Sequence, residues 1–312
     1  MGRWLPERLL RLALVLFSIS FLSFGLMRLA GSDVVEQKME NRGEAVSAEA
    51  AEEARASLGL DQPFLVQYSV WLKRAAGGDL GRSYVSGQPV AEAFWQRLPN
   101  TLRLAFMSVL LTAVLSLPLG ILSAVRQNGP VDYAVRVLSF VGNSLPNFVV
   151  ALLLLYILSL RLGWLPVISD GTGWESAVMP GLTLAIAMGA KYIRQVRTAV
   201  LEELSQPYVA GALSRGIPFA RLLWGGVLRS AGGTLLTMLA LSLGDLLGGA
   251  AVVETIFMYG GVGSMAAEAI RMRDYPVVQA YVMMMGGIYA LLNLLADLGC
   301  RWLDPRIGRG DM

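Results

Sequence analysis

Six long apolar stretches dominate the 312-residue sequence and set its fold class. A helix that crosses the hydrocarbon core of a bilayer needs about 20 predominantly apolar residues. Hydrophobic residues make up 55% of the chain and charged residues 16%, and the mean hydropathy is +0.55. The sequence therefore predicts an all-α membrane protein with six transmembrane helices. The stretches cover residues 9–29, 102–125, 137–160, 178–192, 231–253 and 277–298, and the fourth is the shortest.

Lysine and arginine are distributed unevenly over the short segments that join these stretches. On the side opposite the N-terminus, the short segments carry only Arg161, Arg271 and Arg273. Positively charged residues concentrate on the cytoplasmic side of a membrane protein. The pattern therefore predicts that both termini are cytoplasmic. The basic residues on the predicted cytoplasmic side are Arg3, Arg8, Arg11, Arg126, Arg136, Lys191, Arg194, Arg197, Arg215, Arg221, Arg229, Arg301, Arg306 and Arg309.

The apolar stretches divide the chain into four predicted parts. Residues 1–30 form a transmembrane anchor; its start resembles a signal peptide, but its apolar run is too long and no small-residue cleavage site follows. Residues 31–101 are extracytoplasmic, with an Ala/Glu-rich helix at 36–55 and a glycine-broken turn at 77–83. Residues 102–300 form the membrane core, and residues 301–312 form a cytoplasmic tail.

Several classes of chemistry are excluded by residues that the sequence lacks. It has no histidine and a single cysteine, Cys300, which excludes histidine-assisted catalysis, histidine metal sites and an internal disulfide. Gly263-Ser264 resembles a fragment of a serine hydrolase motif, but no histidine is present to activate Ser264. The sequence has no GxxxxGK[ST] phosphate loop, so the chain carries no P-loop ATPase of its own.

A polar segment at residues 205–230 separates the fourth and fifth apolar stretches. Pro207 suits the first position of a short helix, with Ser205 or Gln206 as its cap, and Gly216 suits the position just past its end. Pro218 can then begin a second helix at an angle.

The two faces of this short helix differ in character. One face can pack against the membrane protein and carries Tyr208, Val209, Ala212 and Leu213. The other face is rich in small residues, would let another protein's backbone approach, and carries Ala210, Gly211, Ser214 and Arg215. The alternative is an ordinary cytoplasmic loop.

Four polar residues in or near the stretches are candidates for lining a path through the membrane. Asp245 is the one acid well inside a stretch, where a carboxylate usually faces a bundle interior or a wet cavity; a structural hydrogen bond is the alternative. Asn143 and Asn147 need partners in protein or water. Glu254 begins a connection, residues 254–263, that is apolar enough to be buried against protein.

Two prolines, Pro118 and Pro146, lie inside the second and third stretches. Proline is tolerated in a transmembrane helix where neighbouring helices or water satisfy the freed carbonyl group. The two positions could kink helices around a path, or they could simply fit the packing.

Six short motifs occur in an order similar to that of the permease subunits of binding-protein-dependent ABC importers, in the dipeptide, oligopeptide and nickel branch. The motifs are LGLDQP (58–63), GDLG (78–81), LPNTL (98–102), ETIF (254–257), RDYPVVQ (273–279) and DPRI (304–307). The resemblance covers about residues 58–308. It implies the type I ABC importer permease fold, with cytoplasmic coupling helices, in the bacterial inner membrane.

The resemblance also implies the partners of the chain. A second, homologous permease would complete the path, two ATPase subunits would use ATP and magnesium inside, and a solute-binding protein would act outside. The chain itself would be non-catalytic, would bind no cofactor and would have no nucleic-acid partner.

The segment at 205–230 resembles the coupling loop of that family. Gly216 matches the glycine of the family pattern and Gly211-Ala212 its small pair, whereas Ala210 stands where the family often has a glutamate. That departure affects a salt bridge to the ATPase but not docking. The ATPase-coupling residues implied by the resemblance are Tyr208, Ala210, Gly211, Ala212, Arg215 and Gly216.

The sequence around Asp245, GDLLGG at 244–249, resembles the nickel members of the family. A carboxylate in a low-dielectric path attracts a cation, although no firm metal site is predicted and Asp245 would hold a metal only transiently. Nickel or a nickel chelate is the expected solute, with a dipeptide or oligopeptide as the alternative. A carrier that works without an ATPase would need several midplane carboxylates and repeated halves, which the sequence does not show.

Overall fold

The computed structural model describes residues 4–29, 62–167 and 173–303, and most of these residues are helical. The helices are α1 (Trp4–Leu29), α2 (Phe64–Ala76), α3 (Val90–Val125), α4 (Pro130–Ser144), α5 (Asn147–Leu154), α6 (Val178–Leu204), α7 (Pro207–Ser214), α8 (Phe219–Leu222), α9 (Leu228–Ile256), α10 (Val262–Arg271) and α11 (Tyr275–Leu303). π-helical turns continue α5 through Leu155–Arg161 and join α8 to α9 through Leu223–Val227. The helix predicted at 36–55 and the motif at 304–307 lie outside the described residues.

Five helices in the described part are long and apolar enough to cross a membrane, and the bent pair α4–α5 makes six if it counts as one span. The five are α1, α3, α6, the α8–α9 run and α11. Every predicted apolar stretch therefore corresponds to a candidate span. The predicted fold class, an all-α membrane protein, is confirmed.

The third apolar stretch, residues 137–160, is broken rather than straight. Helices α4 and α5 meet at an angle of 103°. Leu145 is extended, with φ −83° and ψ 128°, because the ring of Pro146 disfavours the helical conformation of the residue before it. Pro146 therefore separates two helices and bends the span more strongly than Pro118 does. Pro118, in contrast, lies inside α3, which continues through it.

Helices α3 and α6 extend beyond their apolar runs, and α10 corresponds to no run. Helix α3 begins at Val90 instead of residue 102, and α6 ends at Leu204 instead of residue 192. Polar side chains end an apolar run without ending a helix, so hydropathy alone does not locate the ends of these two helices. Helix α10 was not predicted, because its ten residues follow a glycine-rich turn. The prediction that residues 254–263 are buried against protein holds in part: Glu254, Phe257, Tyr259 and Val262 are at most 1% exposed, whereas Met258 is 65% exposed.

The chain divides into two compact units, Met1–Pro99 with Gly261–Ala290 and Asn100–Gly260 with Leu291–Met312. In the first unit, α1 and α2 are joined by aromatic rings: Phe24 lies 5.4 Å from Phe64 and 5.5 Å from Tyr68 between ring centroids. The buried Asp274 accepts hydrogen bonds from the Tyr84 amide, at 3.0 Å, and from the Ser83 hydroxyl. The turn after α2 is thereby attached to the start of α11.

The second unit contains two apolar clusters. One gathers residues of α3, α5, α6 and α9, including Leu104, Ala151, Leu184 and Val253. The other, called here the bend cluster, lies where α3, α6, α7, α8 and α9 meet. Its buried members are Ala124, Val196, Val200, Val209, Ala212, Leu222, Leu223, Val227, Ala231 and Leu235.

Candidate functional site

Helices α7 and α8 form a compact bend between the long helices α6 and α9. Gln206 is extended and precedes Pro207 at the first position of α7, and Pro218 is extended and precedes α8. Between the helices, Gly216 has φ +80°, a left-handed conformation that glycine adopts without a side-chain penalty. Its amide donates a 2.9 Å hydrogen bond to the Leu213 carbonyl. The two predicted helices and the prolines and glycine that bound them are confirmed.

The inner face of α7 is seated in the bend cluster. Val209 and Ala212 are each 4% exposed and pack in the same cluster as Ala124 of α3, Val200 of α6 and Ala231 of α9. Interiors packed at this density transmit a displacement instead of absorbing it. A displacement of α7 would therefore be transmitted to the membrane helices α3, α6 and α9 of this unit.

The outer face of α7 is open. Ala210, Gly211, Ser214 and Arg215 are exposed, as the pattern of small residues predicts. Leu213, predicted to lie on the inner face, is instead 44% exposed. It flanks the open face together with Phe219, which is 40% exposed, and Trp224, which is 71% exposed. Of the residues implied in ATPase coupling, Ala212 alone is buried, so it can act only by seating α7.

Tyr208 ties α7 to the end of α6. Its hydroxyl donates a 2.8 Å hydrogen bond to the Glu203 carboxylate, and a Cβ at Gly226 would lie 3.7 Å from its ring. Burial and the Glu203 carboxylate raise the pKa of Tyr208, so the hydroxyl stays protonated and continues to donate. The sequence pattern places Tyr208 on the inner face, but its side chain is 41% exposed, so that prediction is wrong for this residue.

A buried ion pair that was not predicted joins the start of α4 to α6. Asp132 is fully buried, and Arg197 donates to both of its carboxylate oxygens, from Nε at 2.8 Å and Nη2 at 2.9 Å. The Ser123 hydroxyl and the Asn128 amide donate to the same carboxylate at 2.5 and 2.9 Å. The sequence signal was weak, since the two charged residues lie 65 positions apart.

Three of the four predicted path residues have described side chains, and each has a different setting. Asn143 is exposed and Asn147 half-buried, and they lie on either side of the α4–α5 bend. Glu254 is fully buried and accepts a 2.7 Å hydrogen bond from Thr101, which joins α9 to α3. Asp245 belongs to α9, but its side chain lies outside the described residues. Among the described residues, no group of three or more acidic or cysteine side chains could hold a metal ion.

Comparison with known families accounts for almost the entire chain. Residues 116–309 match the family described as binding-protein-dependent transport system inner membrane component. Residues 1–105 match the N-terminal family of the same membrane components. The chain belongs to this permease family. It is therefore a membrane subunit of an ABC importer and not an enzyme, because ATP hydrolysis belongs to a separate subunit.

Individual relatives align with this permease over nearly their full length. A probable peptide ABC transporter permease of Sinorhizobium fredii is 33% identical, with 98% of this chain and 99% of the relative covered. The oligopeptide permease AppB of Bacillus subtilis is 34% identical with the same coverage. The metal-staphylopine permease CntB of Staphylococcus aureus is 31% identical, with 99% of both chains covered.

A solved structure supports the fold. The inward-facing MetNI methionine ABC transporter matches with a TM-score of 0.58 at 17% identity, covering 68% of this permease and 96% of that chain. At this identity the match concerns the fold alone. It confirms the type I ABC importer permease fold that the motifs imply.

Proposed function

We propose that this permease imports short peptides across the bacterial inner membrane, paired with a second, homologous permease. The observation that carries the proposal is that several relatives are peptide permeases. They include the peptide and oligopeptide permeases described above and the glutathione permease GsiC of Escherichia coli, which is 33% identical over 98% of this chain. The nickel expectation drawn from the sequence around Asp245 becomes the second candidate.

In this proposal, the ATPase subunits dock on the exposed face of α7. Ala210 and Gly211 allow close approach of another backbone, and the exposed Phe219 and Trp224 offer apolar and aromatic surface of the kind that anchors protein interfaces. Arg215 adds a positive charge at the rim. Two ATPases that close on ATP would carry both bends with them, and the bend cluster would pass the motion to α3, α6 and α9.

The same proposal gives the broken α4–α5 span a role in the path. Unwound backbone at membrane depth occurs where it faces protein or lines a water-filled cavity. The break at Leu145 and Pro146 frees backbone groups beside the amides of Asn143 and Asn147. Amides and free carbonyls can exchange hydrogen bonds with the backbone of a passing peptide.

Nickel or a nickel chelate is the second candidate solute. Two observations favour it, the acid Asp245 within an apolar helix and the metal-staphylopine permease among the relatives. If it is correct, Asp245→Asn should reduce nickel uptake while leaving assembly of the complex unchanged. Unaffected nickel uptake in that variant would assign Asp245 a structural role.

The deciding experiment measures uptake by the complete transporter in vesicles containing ATP. Labelled dipeptide is compared with radiolabelled nickel, the nickel being supplied with and without a chelator. We expect dipeptide to accumulate only when ATP and the solute-binding protein are present. Accumulation of nickel, or of its chelate, without dipeptide uptake would overturn the peptide proposal in favour of the second candidate.

A further inference from the structure

The first unit contains an open groove of about 700 Å³ between α1 and the α10–α11 region. The α1 residues that line it, from Ile19 to Met27, are three or four positions apart and therefore lie on one face of the helix. Every lining residue except Ser23, Arg273 and Tyr275 is aliphatic or methionine. The lining residues are Ile19, Leu22, Ser23, Leu26, Met27, Ile270, Arg273, Tyr275, Val278 and Val282.

The groove is polar at one end and apolar at the other. A Cβ at Gly286 would lie 3.5 Å from Ile19, and one at Gly287 would lie 3.9 Å from Leu16. Residue numbers therefore rise in opposite directions, so α1 and α11 run antiparallel, with Ile19 beside the deeper turns of α11. Arg273 and Tyr275 therefore stand at the Met27 end. From Tyr275 to Val282 the wall extends roughly 10 Å at about 1.5 Å per residue. A guanidinium and a phenol thus mark the mouth of an otherwise apolar channel.

Ser23 gives the groove a second polar feature below its mouth. The side chain is 8% exposed, and its hydroxyl has no hydrogen-bond partner among the residues that the structure describes. Buried hydroxyl groups are nearly always paired. Ser23 lies one helical turn from Met27. A ligand in the groove could therefore accept the hydrogen bond of the Ser23 hydroxyl one turn below the end that carries Arg273.

We propose that this groove binds one anionic phospholipid. Its phosphate pairs with Arg273, an ester carbonyl accepts the hydrogen bond of Ser23, and an acyl chain lies along the aliphatic stripe toward Val282. A guanidinium forms strong, charge-assisted hydrogen bonds to a phosphate, and tyrosine prefers the interfacial depth that this assigns to Tyr275. An apolar helix of another subunit could cover the stripe, but it would leave the buried hydroxyl of Ser23 without a hydrogen-bond partner.

The test uses the full-length chain in its assembled transporter, delipidated in detergent. Phosphatidylglycerol and phosphatidylcholine with the same acyl chains are titrated separately, and bound lipid is counted by native mass spectrometry. One arginine near an anionic lipid should favour phosphatidylglycerol by about fivefold. Arg273→Gln should abolish this preference, and Ser23→Ala should weaken the binding of both lipids alike.

Arg271→Gln is the matched control, because Arg271 is exposed, lies two residues away and does not line the groove. It should retain the preference for phosphatidylglycerol. Equal binding of the two lipids, or equal effects of the two arginine substitutions, would overturn the proposal. It would also fail if Ser23→Cys, in a Cys300→Ser background and labelled with a benzophenone maleimide, photo-cross-links to the second permease, because the groove would then be a subunit interface.

Discussion

At the scale of single residues, Asp132 is a buried carboxylate, and a buried carboxylate is stable only when its charge and hydrogen bonds are paired. It is buried, and Arg197 and two further donors engage both of its oxygens. A buried ion pair of this kind adds little net stability compared with apolar side chains, but removing one partner leaves a costly charge. Its role is to fix how the start of α4 meets α6 close to the bend cluster.

Loss of Arg197 should therefore destabilise the second unit. We expect Arg197→Ala to lower the free energy of unfolding by about 3–5 kcal/mol, seen as a lower thermal midpoint in detergent. Arg136→Ala is the control, because Arg136 is 48% exposed and its Nε lies 3.6 Å from Asp132, so its loss should cost under about 1 kcal/mol. Equal effects of the two substitutions would contradict the assignment of Arg197 as the main partner.

Substitution of Gly216 should disturb the α7–α8 bend only through the backbone conformation. Its φ of +80° disfavours other residues, while no atom outside its chain neighbours would contact an added Cβ. Gly216→Val should cost about 1–2 kcal/mol in this conformation and uncouple ATP hydrolysis from uptake without preventing membrane insertion. Gly216→Asn should keep most uptake, because asparagine tolerates the left-handed region. Normal uptake by the valine variant would refute a coupling role for the bend.

At the scale of elements, the apolar runs of the sequence predicted which segments cross the membrane but not how each helix ends. Pro207, Gly216 and Pro218 act on their own neighbours, so the α7–α8 bend could be predicted from local sequence. The extra turns of α3 and α6 could not, because their stability depends on tertiary contacts such as the Thr101–Glu254 and Asp132–Arg197 pairs. Contacts between distant residues leave no mark in a single sequence.

Gly120 allows α3 to pack closely against α6. A Cβ at Gly120 would lie 2.6 Å from the Val196 Cβ and 2.9 Å from the Ile193 carbonyl oxygen. Gly120→Ala should therefore lower the free energy of unfolding by about 1–3 kcal/mol through overpacking. Gly189→Ala in α6, where a Cβ would meet nothing within 4 Å, should instead raise it by roughly 0.5–1 kcal/mol through helix propensity. Thermal unfolding that shifts in the same direction for both variants would contradict this packing.

At the scale of the whole molecule, the permease depends on force from another protein. The chain has no phosphate loop, and the proposed lever is the exposed α7 face, seated on three helices of its unit. The proposal therefore requires that face to lie on the side of the membrane where ATP is available. The excess of lysine and arginine in the short segments on that side predicts this placement independently.

Cysteine labelling can test that placement directly. In a Cys300→Ser background, Arg215→Cys and Arg271→Cys place single thiols at two exposed positions. A membrane-impermeant maleimide should label Arg215→Cys only in inverted vesicles and Arg271→Cys only in intact spheroplasts, while detergent-opened membranes should label both. The Cys300→Ser parent should stay unlabelled throughout. Labelling of Arg215→Cys in intact spheroplasts would place α7 beyond the reach of any cytoplasmic ATPase, and the coupling mechanism would then have to be abandoned.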